Sequence, residues 1–129
     1  MADRGVVLLV EDDDDLRRIL ARQLRARGYA VSEAGSAEEA EQRLHDEPAP
    51  GLVILDINLP GDTGWDLLRS DALAAAASPP VVIESALPVR PGRLVEFGVA
   101  GYLPKPFPLD TLMDTVERLL HRNEAPGNA

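Results

Sequence analysis

Residues 52–61 read LVILDINLPG. The unbroken apolar run from Leu52 to Leu55 suits a strand covered on both faces, because a strand with one wet face would alternate apolar and polar positions. Asp56 stands at the mouth of that strand, and Pro60 with Gly61 marks the loop that follows. An aspartate in such a place can simply cap a turn, so its position alone does not separate a structural from a chemical role.

Similar runs recur on either side. Val6 to Val10 and Pro80 to Ile83 are continuous apolar segments, Tyr29 to Ala34 alternates, and Gly101 to Leu103 is a short fifth candidate strand. Helical patterns lie between them. Residues 13–27 carry Leu16, Ile19, Leu20 and Leu24 at helical spacing, with aspartates first, arginines later and Gly28 as a stop. Ser36 to Glu39 predicts a capping box opening a helix to Asp46, and a third helix is expected from Gly64 to Ala77. Leu109, Leu112, Met113, Val116, Leu119 and Leu120 form one stripe over residues 109–122, and the polar residues 123–129 read as a flexible tail. Strands alternating with helices predict an α/β fold, a doubly wound five-stranded parallel sheet with helices on both faces. In such sheets ligands sit beyond the carboxyl ends of the strands, so the chemistry is expected there.

The chain has 129 residues, enough for a single domain with its core at about 5–122, and 45% of them are hydrophobic. It has no apolar run of about 18 residues that would span a membrane, and no signal-peptide pattern. A cytoplasmic setting is expected. No cysteine is present, which excludes disulfides, thiolate metal sites and cysteine nucleophiles. The net charge of −9 argues against direct nucleic-acid binding, which needs clustered Lys and Arg. His45 and His121 lack metal-ligand spacing, and the aspartates at 12–15 lack the glycine and distal glutamate of a calcium loop. Trp65 is read as a loop-packing residue and Phe97 as core.

Four of the strands deliver polar groups to one edge: Glu11 and Asp12 after the first, Asp56 after the third, Ser85 after the fourth and Lys105 after the fifth. Two carboxylates about 4 Å apart repel by roughly 4 kcal/mol at an effective dielectric of 20, so gathered acids need a cation or must shift their pKa values. Magnesium suits oxygen ligands and commonly joins carboxylates to a phosphate. A carboxylate can then accept a phosphoryl group, with metal and ammonium offsetting the charge, and Lys105, fixed between Pro104 and Pro106, offers the ammonium.

The segments LLVEDD at 8–13, LDINLPGDTG at 55–64 and GYLPKPF at 101–107 together resemble the signature of response-regulator receiver domains, in order and over residues 5–122. The resemblance implies a flavodoxin-like strand order 2-1-3-4-5. It implies Asp56 as phosphoacceptor, Asp12 as direct metal ligand, Glu11 as a ligand through water and the Asn58 backbone carbonyl as a further ligand to Mg2+. Ser85 would be the switch hydroxyl, Tyr102 the rotating aromatic and Lys105 the phosphate-pairing lysine, with a cis Lys105-Pro106 bond. The implied partners are a histidine kinase or phosphotransfer protein and an unnamed downstream protein.

This sequence departs from the pattern in several places. Ser85 stands where threonine is commoner, and Glu84 before it is unusual. Pro88 and Pro91 predict a short or irregular fourth helix. Gly101 precedes Tyr102, without the paired acids of a common dimer signature, so a monomer or weak dimer is expected. Two other functions are weighed against the signalling one. A phosphatase using an aspartyl intermediate on a similar sheet would need an acid at position 58, which is Asn. A degenerate receiver acting only as an adaptor would not bind magnesium and a phosphate analogue.

Overall fold

A computed structural model describes residues 5–61 and 63–124. The strands are β1 (Val6–Val10), β2 (Ala30–Ala34), β3 (Leu52–Asp56), β4 (Val81–Ser85) and β5 (Gly101–Pro104). The helices are α1 (Asp14–Ala26), α2 (Ala37–Asp46), α3 (Gly64–Leu68), α4 (Asp71–Ala75), α5 (Pro91–Glu96) and α6 (Leu109–Glu124). All strand pairs are parallel and the order is β2-β1-β3-β4-β5, as expected.

The alternation of side chains along each strand divides the core in two. Val7 and Leu9 of β1, with Ile54 and Val82, pack under α1 and α6 through Leu20, Leu24, Leu112 and Val116. Leu8 and Val10, with Val53, Leu55 and Ile83, face the other way, toward Ala40 and Leu44 of α2, Leu67 of α3 and Leu73 of α4. Every residue of β3 is buried, which is why its sequence could be apolar without alternation.

Local chemistry sets the helix ends. Asp13 caps α1 by accepting from the backbone N–H groups of Asp15 and Leu16, both at 3.1 Å. Ser36 caps α2 through the Glu39 N–H, but Glu39 reaches back to the N–H of Gly35 rather than of Ser36, so the expected capping box is only half formed. A complete box stands instead at Thr63 and Asp66, opening α3. The single helix expected over 64–77 is two short ones. Ser70 takes an extended conformation, donates to the Leu67 carbonyl at 2.7 Å and accepts from Leu73 N–H at 3.3 Å, ending one helix and starting the next. The fourth predicted helix is α5, six residues long with Pro91 in its first turn. Asn123 and Glu124 continue α6, which corrects the expected start of the tail; residues 125–129 lie outside the described residues.

Gly64 fixes the loop after β3. A Cβ there would stand 2.7 Å from Ile57 Cδ1, 2.8 Å from Ile57 Cα and 2.9 Å from the Asp56 carbonyl oxygen, two of them backbone atoms that cannot step aside. Gly64→Ala is therefore expected to lower stability by roughly 1–3 kcal/mol, read as a fall in urea midpoint at unchanged slope.

Candidate functional site

The carboxyl ends of β1, β3, β4 and β5 meet at one edge, and the register brings Asp56 beside Glu84 and Ser85 beside Pro104. Asp56, 2% exposed, closes β3, and Glu11, fully buried, follows β1. Lys105, directly after β5, places its Nζ 2.9 Å from Glu11 Oε1, 3.2 Å from Asp56 Oδ2 and 3.7 Å from Glu84 Oε1. The Lys105-Pro106 bond is cis. The other oxygens of the pair are also held: Asp56 Oδ1 accepts from Asn58 N–H at 2.9 Å, and Glu11 Oε2 from Asp13 N–H at 3.1 Å. Arg17 donates to the Glu11 backbone carbonyl at 2.7 Å, anchoring the turn into α1.

Burial and charge act against each other here. Burial works against the charge of Lys105, but hydrogen bonding to Glu11 and the fields of Glu11 and Asp56 outweigh it and hold the ammonium above its ordinary range. Burial pushes the Glu11 carboxyl up, only partly offset by its hydrogen-bond donors. Glu84 goes furthest, to about 9, through its burial first and then the neighbouring Glu11 carboxyl. It is fully buried, and neither carboxyl oxygen has a hydrogen-bond partner of good geometry. At neutral pH Glu84 is thus a neutral acid. Asp12 is exposed at the rim, and one oxygen from each of Glu11, Asp12 and Asp56 falls within 4.8 Å of the others. Two buried acids and one exposed acid, all oxygen donors, fit a hard divalent cation such as magnesium that keeps part of its water.

Residues 7–117 match the family of the response regulator receiver domain. The chain belongs to that family. It is 41% identical over 118 residues to the transcriptional activator protein PfeR of Pseudomonas aeruginosa, covering 90% of this chain and 38% of that protein. It is 38% identical over 125 residues to the transcriptional regulatory protein PmrA of Pectobacterium parmentieri, covering 95% of this chain and 55% of that one. The chain thus spans less than two thirds of the length of these curated relatives. Among solved structures it is similar to the receiver domain of the hybrid histidine kinase CckA, with a TM-score of 0.75, 36% identity, and 90% and 99% of the two chains covered. Members of this family are signalling phosphoacceptors of two-component systems rather than conventional enzymes.

Within this receiver domain the sequence-derived residues do not all fall in one cluster. Glu11, Asp12, Asp56 and Lys105 do. Ser85 Oγ instead lies 2.7 Å from Asn58 Oδ1 and 2.6 Å from the Leu87 carbonyl, and accepts from Leu87 N–H at 3.0 Å. Its single proton serves one of the two acceptors at a time. Tyr102 is half-buried on β5, packed against the core on the α2 to α4 side, with Ile83 opposite in register. Phe97 is not core: it is partly exposed and lies 5.1 Å from Trp65, ring to ring. Sequence reasoning flagged Glu84 as unusual without placing it in the site. The signal was available, since Glu84 shares the strand face of Val82 and lies at the same end as Lys105.

No helix of the described residues is long and apolar enough to cross a membrane.

Proposed function

We propose that this chain is a phosphoacceptor module in which Asp56 receives a phosphoryl group, with magnesium, from a histidine kinase or phosphotransfer protein. The observation that carries the reading is the Lys105 ammonium held on both Glu11 and Asp56 beside the exposed carboxylate of Asp12. In the transfer an Asp56 carboxylate oxygen bonds to phosphorus, the P–N bond to the donor histidine breaks, and the imidazole nitrogen keeps the electron pair. Lys105 moves with its charge from the carboxylates to the phosphoryl oxygens. Glu11, Asp12, Asp56 and the Asn58 backbone carbonyl would hold Mg2+, which when bound supplies positive charge against the carboxylates and the incoming phosphoryl oxygens.

The switch follows from acceptor strength. A phosphoryl group carries about two negative charges and outcompetes a neutral amide or carbonyl oxygen for the Ser85 proton, now shared between Asn58 and Leu87. As Ser85 swings toward Asp56, space opens for Tyr102 to turn inward and the loop before α5 rearranges. The donor has a surface of its own. An apolar groove of about 440 Å³ beside Lys105, lined by Leu16, Ile19, Leu20 and Phe107, suits the apolar face of a helix presenting a phosphohistidine. On the other side Leu87 and Val95, 61% and 81% exposed, offer the downstream protein an apolar contact. With a net charge of −9 this chain binds no nucleic acid itself; a nucleic-acid link would run through another domain or partner. The proposal includes a cytoplasmic setting, a single receiver unit over 5–122, and a monomer or weak dimer.

Hydrogen exchange of the free and the magnesium-beryllofluoride-bound protein tests the switch. The largest differences are expected in residues 84–103. Changes confined to 11–15 and 56–64 would sink it.

A further inference from the structure

Beside the acid cluster lies a second cavity of different character. Its volume is about 360 Å³, and its walls include Asn58, Trp65, Ser85, Arg90 and Arg93. The Arg93 guanidinium lies 4.3 Å from the centre of the Trp65 ring and 5.6 Å from that of Phe97, while Arg69 lies 5.0 Å from Phe97 on the same aromatic pair. Elsewhere Arg17, Arg18, Arg25 and Arg43 are ion-paired, while Arg22 and Arg118 stand singly without a carboxylate partner among the described residues. Among the described residues Arg69, Arg90 and Arg93 have no such partner. Two cations with no ion-pair partner among the described residues thus line this cavity, and a third, Arg69, lies on the adjoining Phe97 ring, in a protein with a net charge of −9.

The stacking matters chemically. A guanidinium lying against a ring uses its face, which leaves its N–H donors at the edge free and fixes their plane. Arg93 is thus held against the rings at the cavity wall with its N–H donors uncommitted to any carboxylate, and Arg90 adds a second charge at the same cavity, where Asn58 is a polar neighbour. A carboxylate satisfies one fork; a phosphate, with more oxygens and up to two charges, can engage both arginines at once.

We propose that this cavity is a binding site for the phosphate dianion, either free or as the phosphate group of a small molecule, separate from the phosphoacceptor Asp56 and independent of magnesium. The site goes beyond the signalling reading: it borders the switch through Asn58 and Ser85, but its charges are Arg90 and Arg93 rather than the acids or Lys105.

Trp65 is the chain's only tryptophan, so its fluorescence and its indole N–H resonance report the cavity directly. Inorganic phosphate and glycerol phosphate would be titrated separately into the magnesium-free protein with chelator present, at ionic strength held constant with chloride. A saturable change by tens of millimolar is expected, weakened about tenfold in Arg90→Gln, which leaves the Trp65 stack in place, and at least as much in Arg93→Gln. The tighter of the two ligands identifies the source, free phosphate or a phosphorylated small molecule. Arg90→Gln should unfold at the wild-type urea midpoint and Arg93→Gln slightly below it through the lost ring contacts, and both should still gain a phosphoryl group on Asp56 when magnesium and a phosphodonor are supplied, so failure of this site and failure of the phosphoacceptor are read separately. An unsaturable response, one equalled by chloride, or one unchanged in Arg90→Gln overturns the proposal.

Discussion

Lys105→Met is expected to destabilise the magnesium-free protein by roughly 3–5 kcal/mol at neutral pH, the usual cost of removing one partner from a buried ion pair. The lysine side chain is 20% exposed while those of Glu11 and Asp56 are 1% and 3% exposed, so its loss leaves two buried carboxylates with no cation on them. The sign with pH follows from the direction of the shift. The folded state raises the lysine pKa, so its contribution is fully present below the unfolded value near 10.4 and fades only as pH rises through the still higher folded one. Acidification narrows the gap between variant and wild type from the other side, as the Glu11 carboxyl, already pushed up by burial, takes up its proton. Magnesium should restore part of the lost stability, because it binds the folded acids and supplies the missing charge. Urea unfolding with and without magnesium checks this; a metal-free variant as stable as wild type at neutral pH contradicts the assigned geometry.

Glu84→Met is expected to act in the opposite direction. The carboxyl is fully buried and held neutral up to about pH 9, whereas in the unfolded chain it ionises near its ordinary value of 4.5. Between those limits unfolding releases a proton, so wild-type stability declines as pH rises. Methionine has similar volume and no proton to release. The variant should match wild type most closely below the lower limit and exceed it by roughly 1–4 kcal/mol at mildly alkaline pH, the range seen when buried ionisable groups are replaced by apolar ones. Unfolding midpoints across pH without magnesium measure the difference. Parallel curves for the two proteins would show that Glu84 does not carry its proton alone.

These opposite effects within a few ångströms mark where the sequence could be read and where it could not. The strands were legible because Val6 to Val10, Leu52 to Leu55 and Val81 to Ile83 had to be apolar on both faces of a covered sheet. The convergence of Glu11, Asp56 and Lys105 was legible because parallel strands put all their carboxyl ends at one edge. The break at Ser70 was not, since an alanine-rich stretch favours one helix and only the Ser70 hydroxyl, bonding both ways, divides it. Phe97 was misread because an aromatic residue near a short helix can meet the core or a neighbouring ring, and here Trp65 supplied the ring. The Ser85 to Asn58 contact joins residues 27 positions apart and depends on a loop whose shape no local pattern fixes.

Intact mass after incubation with acetyl phosphate and magnesium tests the phosphoacceptor assignment most directly, run on the wild type and on Asp56→Asn. The wild type is expected to gain the mass of one phosphoryl group and Asp56→Asn none, since the amide lacks the anionic oxygen that attacks phosphorus. No gain in the wild type, or an equal gain in Asp56→Asn, would contradict Asp56 as the acceptor.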